Sequence, residues 1–226
     1  MTVLFDYPKS AVFGRVLPKN KIYEHADANT ALKELFVTQV DQIVWKYKLA
    51  PETINLSATK SVFEIQVFAV SLKLPTLHPD VLRAIDRAIP SPLIFELSHA
   101  GRSQTIAAFK RPSEADGAKW VFSDYFKSDW APSGTPRTPL PVALDLGSLY
   151  DKVLTALMPV QPLVKEDIQA RVVRMEAIKA KEREVERIKG QLAREKQFNR
   201  RVSINAALRQ ATQGLDRLKA ADLSND

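Results

Sequence analysis

The sequence predicts an α/β (α+β) protein: a mixed β-sheet domain with packed helices, followed by a long C-terminal helical, coiled-coil-like segment. Two observations carry this. Ser61 to Lys110 reads strand, helix, strand, strand, with most of its apolar residues core-forming. Val164 to Lys219 contains no proline and is dominated by helix formers. The expected division is a mixed α/β domain over 1–162 and a helical segment over 163–226.

Within the first stretch, Val62 to Val70 is a run of β-branched and aromatic residues of strand length. His78 to Ile89 places Val81, Leu82, Ile85 and Ile89 on one helix face, with His78 at its cap. Pro90 stops that helix, and Leu93 to Leu97 is a second strand. Two strands joined by a helical crossover form a parallel pair. Ala100-Gly101-Arg102-Ser103 reads as a turn, and Gln104 to Lys110 as a hairpin partner of strand 93–97.

Residues 1–27 read as irregular, with Ala11 to Leu17 an edge strand or packed arm. Leu17 to Glu24 sets basic residues beside Tyr23, as an ordered arm or a ligand contact. Asn29 is the expected N-cap of a helix whose apolar stripe runs Leu32, Leu35, Phe36, Val40, Ile43, Val44 and Tyr47. Pro51 ends it, and Glu52 to Ser57 reads as a short strand. Arg111 to Lys119 is a polar loop, Trp120 to Phe126 an aromatic strand, and Ser128 to Pro141 an extended connection with four prolines. Asp145 or Ser148 caps a helix over Leu149 to Leu157, and Pro159 and Pro162 close the globular part.

The tail carries apolar residues at Ile168, Val172, Met175, Ile178, Val185, Ile188 and Leu192, then at Ile204, Leu208, Ala211, Leu215 and Leu218. The two sets are out of phase, with Phe198 and Val202 at the slip. This predicts either one long helix with a stutter or two helices broken near Gln197. A single helix of about 55 residues would span roughly 80 Å. So narrow a stripe needs a twin, a protein partner or the globular domain to cover it.

Composition narrows the chemistry. There is no cysteine, so disulfides, thiolate metal sites and a cysteine nucleophile are excluded. No apolar run approaches a membrane span, and the N-terminus lacks the pattern of a signal peptide, so no membrane role and a cytoplasmic location are expected. Neither Gly-x-Gly-x-x-Gly nor Gly-x4-Gly-Lys occurs among only seven glycines, and there is no Gly-x-Ser-x-Gly. His25, His78 and His99 show no zinc spacing, so no metal and no cofactor are assigned. The net charge is +7. From Leu163 onward 15 Lys and Arg face 10 Asp and Glu, a net of +5, against 18 and 16 in the first 162 residues. A basic helical tail suits DNA or another anionic partner, or else is a solvated face of mixed charges.

Two places are candidate sites. Glu64 and Gln66, two apart on a strand, share a face, and Glu52 precedes them. This order resembles the Glu-x-Lys arm of the restriction-endonuclease fold, with Gln66 where that fold has lysine. The resemblance implies an active metal-dependent nuclease or a catalytically inactive relative. The plain reading is two polar residues on a half-exposed strand. In the tail, Lys196, Arg200 and Arg201 surround Phe198, a pattern that suits a nucleic-acid backbone with a stacked base, or a coiled-coil stutter with Phe198 packed inward.

Leu17-Pro18-Lys19, Ile43 to Leu49, Glu64 to Phe68, Ile85 to Pro90 with Leu93 to Leu97, and Glu195 to Arg201 together resemble a bacterial family of unknown function. The resemblance runs from about residue 8 to 219. It implies a setting beside DNA methyltransferases and helicases in restriction or anti-phage loci, and no established catalytic residues. The expectation is a non-enzymatic accessory or scaffold subunit of a restriction-like or phage-defence complex. It would dock a protein partner, such as a DNA methyltransferase or helicase, or itself, through its C-terminal helices. The alternatives are a restriction-endonuclease-like nuclease or DNA-binding domain, and a plain DNA-binding dimer.

Overall fold

The structure, a computed structural model, describes residues 3–113 and 120–220. It is a mixed α/β fold that divides into two compact units between Met158 and Pro159. In the first unit β1 (Phe5–Asp6) and a 3-10 turn (Lys9–Ala11) lead to β2 (Val12–Val16). Helices α1 (Lys19–His25) and α2 (Thr30–Gln39) follow, then β3 (Val40–Leu49) and the single turn α3 (Pro51–Ile54). The centre is β4 (Ile65–Leu72), α4 (Pro79–Ala88) and β5 (Leu93–His99). The hairpin partner β6 (Arg102–Pro112), β7 (Trp120–Lys127), the short strands β8 (Ala131–Pro132) and β9 (Thr138–Pro139), and α5 (Leu146–Leu157) complete it.

The main sheet has the order β2-β3-β4-β5-β6-β7, with β8 beside β6. Only the β4–β5 pair in it is parallel, joined by α4 as the crossover. The turn from β5 to β6 uses Ala100 and Gly101, both at positive φ (45° and 73°), the geometry that closes a two-residue hairpin. Alternate residues build one core face: Phe68, Val70 and Leu72 of β4 with Leu93, Phe95 and Leu97 of β5. Ile22 of α1, Phe36 of α2 and Val81, Leu82 and Ile85 of α4 pack onto it. Asn29 caps α2 by accepting from Leu32 N at 2.9 Å, and His78 caps α4 by accepting from Asp80 N at 3.3 Å.

The opposite face is closed by the N-terminal segment. Thr105 on β6 donates its hydroxyl to Val3 O. Arg137 donates to Phe5 O at 2.6 Å and makes a two-pronged pair with Glu96 of β5, at 2.6 and 3.0 Å. Lys46 Nζ adds a third cationic contact to Glu96 at 3.3 Å. The neighbouring Phe5 and Thr138 pair in parallel as β1 and β9.

Three expectations for this unit are overturned. The helix from Asn29 stops at Gln39, and Val40 to Leu49 is a strand. Register shifts between Val40 and Gln42 and between Trp45 and Tyr47 break the two-residue alternation, so the strand's apolar residues fall at helix-like intervals. Glu52 lies in α3 rather than a strand. Pro51 sets the first helical φ, and Asn55 at φ 54° ends the turn. Residues 19–25, read as irregular, form α1, where Lys19 Nζ donates to Phe36 O (3.2 Å) in the last turn of α2 and to Val40 O (2.5 Å) at the start of β3. Two boundaries also move. The central strand begins at Ile65 and not Val62, and α5 begins at Leu146 because Asp145 caps it with Ser148 as the reciprocal partner. Of the loop expected over Arg111–Lys119, residues 111 and 112 belong to β6, and 114–119 lie outside the described residues.

In the second unit α6 (Ile168–Arg194) and α7 (Phe198–Ala220) are two helices, so the break near Gln197 holds. They pair antiparallel: Val185 and Ile188 meet Ala211, Ile204, Leu208 and Leu215, and Lys219 Nζ reaches Glu182 at 2.7 Å. The two stripes therefore cover each other, an arrangement the sequence reading did not consider. Glu166 anchors the entry, holding Arg174 Nε at 2.7 Å and Arg171 Nε at 3.4 Å. The Arg174 guanidinium keeps its carboxyl below the usual range.

Inside the first unit lies a buried ionic cluster. Lys110 Nζ donates to Asp86 O at 2.5 Å and to Ile89 O, and stands 3.6 Å from Asp86 Oδ1. The Tyr125 hydroxyl donates to Asp86 Oδ2, and Tyr150 bridges Ala108 O and Lys110 N at the bulge in β6. Burial raises Asp86 to about 6 against the pull of Lys110 and Tyr125, and burial lowers Lys110. The raised carboxyl makes the folded state bind more protons than the unfolded chain between pH ~4 and pH ~6. Its contribution is complete at the acid end of that window and is lost as pH rises through the folded value. Asp86→Asn removes this dependence. Urea titrations should show the stability difference moving against the wild type, by about 1–3 kcal/mol, from pH ~4 to pH ~7.

Candidate functional site

The structure brings the three sequence candidates of the first unit together and adds two residues the sequence reading passed over. Lys48, near the end of β3, is the cross-strand partner of Gln66 on β4. Antiparallel pairing thus places an ammonium beside the start of β4, where Glu64 sits just ahead of the strand. Lys48 Nζ donates to Glu52 Oε1 at 2.6 Å and lies 3.6 Å from Glu64 Oε2. Glu52 reaches it because α3 turns back directly after β3.

The other carboxylate oxygen is held from the crossover side. Ser91, between Pro90 and Pro92, donates to Glu64 Oε1 at 2.9 Å, and the Gln66 amide donates to the same oxygen. Gln66 also reaches Ser91 Oγ at 3.3 Å. Gln66 and Ser91 are buried, Glu64 is nearly so, and Glu52 is open to solvent. Hydrogen bonding to Glu52 keeps the Lys48 ammonium above its usual pKa and Glu52 below the ordinary carboxylate range. The cluster is a carboxylate–ammonium–carboxylate chain with an amide and a hydroxyl behind it.

A divalent cation does not fit this arrangement. The position between Glu52 and Glu64 is taken by the Lys48 ammonium, and Glu64 Oε1 already accepts two hydrogen bonds. Among the described residues no group of three or more His, Cys, Asp or Glu gathers in a way that would hold a metal. His25, His78 and His99 lie at the end of α1, the cap of α4 and the end of β5, where His99 Nδ1 is 3.2 Å from Leu72 O.

The second candidate group sits at the closed end of the α6–α7 hairpin. Lys196 is in the break, and Phe198, Arg200 and Arg201 open α7. Phe198 is 77% exposed and Val202 54%. The inward-packed reading of Phe198 is therefore overturned: the inner stripe of α7 begins at Ile204, and Phe198 lies on another side of the helix. Glu195 accepts from Lys196 N and Gln197 N, both at 2.8 Å, and so tightens the break. These backbone donors, with Arg200 nearby, keep its carboxyl below the usual range. A groove of about 680 Å³ beside the break is lined by Arg187, Gly190, Gln191, Arg194 and Ile204 together with Glu186 and Glu195.

A model of the family described as a domain of unknown function, DUF4391, matches residues 5–215. The chain belongs to that family. The DUF4391 match takes in the sheet, the Lys48 cluster and most of the helical hairpin, so the hairpin is part of the family's domain and not an addition to it. No curated protein and no solved structure matches the chain.

Lys48 and Ser91 carried a weak signal in the sequence. A lysine at the end of an apolar strand and a serine between two prolines gain meaning only when β3 and β4 are known to be antiparallel. The cluster's structural weight is testable. Glu64→Ala leaves the buried Ser91 hydroxyl without its acceptor while the Gln66 amide keeps Ser91 Oγ, at about 1–3 kcal/mol for the one orphaned group. Glu52→Ala removes only an exposed ion pair and should change stability by less than about 1 kcal/mol. Urea denaturation of both variants gives the comparison.

Proposed function

We propose that the chain is a non-enzymatic accessory or scaffold subunit of a restriction-like or phage-defence complex, docked to its protein partner through the C-terminal helices. The observation that carries this is an apolar recess at the open end of the α6–α7 hairpin. There Val173 is 59% exposed, in a groove of about 500 Å³ lined also by Ala170, Ala177 and Leu218, with Asp167, Gln169 and Arg174 at its polar edge. Once the inner stripes of the hairpin have paired, this recess is apolar helix surface left over for a coiled-coil-like contact with another chain. The partner class is a DNA methyltransferase or helicase subunit. Co-expression with such a subunit from the same locus should give a complex of fixed stoichiometry that Val173→Asp dissolves. A chain that remains alone in this experiment overturns the reading.

A second reading rests on the Lys48–Glu64–Gln66 geometry. Lys48 supplies, from the neighbouring strand, the basic group that Gln66 lacks. This favours a degenerate restriction-endonuclease-like domain that has exchanged a metal for its own ammonium. The wild type is then expected to leave plasmid and oligonucleotide DNA intact with Mg²⁺ or Mn²⁺. Metal-dependent cleavage that disappears in Glu64→Ala would replace this reading with an active nuclease.

A further inference from the structure

We infer that the closed end of the α6–α7 hairpin and the adjoining outer face of α7 form a binding site for single-stranded nucleic acid, an inference that rests on the proposed role in a DNA-processing complex. Three features converge there. Lys196 to Gly214 holds four cations, Lys196, Arg200, Arg201 and Arg209, and no Asp or Glu. By contrast α6 mixes eight Lys and Arg with four Glu. Both segments carry a net +4, but only in Lys196 to Gly214 is that charge undiluted by carboxylates.

The second feature is periodicity. Phe198, Val202, Asn205 and Arg209 recur at i, i+4, i+7 and i+11, so they form one stripe along α7. All four are exposed. The stripe is distinct from the inner one of Ile204, Leu208, Ala211 and Leu215 that faces α6. It starts with an aromatic ring, continues with an apolar shoulder and a polar amide, and ends in a guanidinium. Arg201 flanks it between Phe198 and Val202.

The third feature is that its cations are uncommitted. No salt bridge engages Lys196, Arg201 or Arg209 among the described residues, whereas Lys181, Lys189 and Lys219 each hold a glutamate. An exposed ring flanked by unpaired cations matches the needs of a single strand: a flat apolar surface for an unpaired base and positive charge for the phosphates beside it. A duplex keeps its bases stacked on one another and offers Phe198 no base face. An acidic protein surface would use the cations but leave the ring unfilled.

The test uses the full chain and a labelled oligothymidylate of about 20 nucleotides, read by fluorescence anisotropy across a salt series, with the matching duplex alongside. The expected result is tighter binding to the single strand than to the duplex. Phe198→Ala should weaken it about tenfold with the salt slope unchanged, since stacking releases no counterions. Arg201→Gln and Arg209→Gln should each lower the slope by about 0.7. No binding to the single strand, tighter binding to the duplex, or an affinity untouched by Phe198→Ala overturns the inference. Val173→Asp should leave oligonucleotide binding intact, and Phe198→Ala should leave the protein complex intact, so the two proposals fail separately.

Discussion

The Lys110 ammonium is the contact on which the first unit depends. It enters from β6 and fastens to the carbonyls at the end of α4, where the crossover helix has no further turn to receive them. A helix held at that end fixes the parallel register of β4 and β5. That register in turn sets Gln66 opposite Leu93 and Ser91 within reach of Glu64. The ionic cluster and the Lys48 cluster therefore both draw on residues at or just beyond the end of α4. Breaking such a buried pair from one side costs far more than the pair contributes when intact, because the remaining charge is stranded.

The two polar clusters of the first unit differ in what they leave for a ligand. Around Lys110 every strong group is answered within the fold. Around Lys48 the answer is also internal, but it includes Glu52, which stands in solvent. The hairpin reverses the balance: its apolar interior is settled by its own two helices, while an exposed ring, an exposed valine and unpaired cations remain outside. The proposed function, built on contact rather than on chemistry, draws on that contrast.

Much of the fold was legible from the chain. β4, α4, β5 and β6 followed from an apolar run, a helical stripe, a proline stop and a turn, all local signals that the tertiary structure reinforces. The failures have local causes too. β3 passed for helix because bulges gave a strand the spacing of a helix face. The burial of Asp86 left no mark in the sequence, because its partners, Lys110 and Tyr125, come from β6 and β7, which no helical spacing reveals. At the sites, Glu64, Gln66 and Glu52 were visible as residues, but Lys48 and Ser91 became neighbours only through strand pairing and the crossover. Phe198 was ambiguous between two faces until the phase of the inner stripe was known.

The clasp between Arg137, Glu96 and the carbonyl of Phe5 has a consequence for how the chain is made. It joins residues 132 positions apart, and the β1–β9 pairing beside it spans a similar interval. During synthesis Phe5 and β1 lack these two partners until the proline-rich connection has left the ribosome, although Thr105 and Tyr47, which hold Val3 and Tyr7, emerge earlier. That face of the growing sheet lacks its Arg137–Glu96 clasp for that interval, at roughly 5–20 residues added per second. Closure of the domain is thus a late event in time as well as in sequence. A nascent chain stalled before Arg137 would expose β4 and β5 to whatever chaperone stands at the exit.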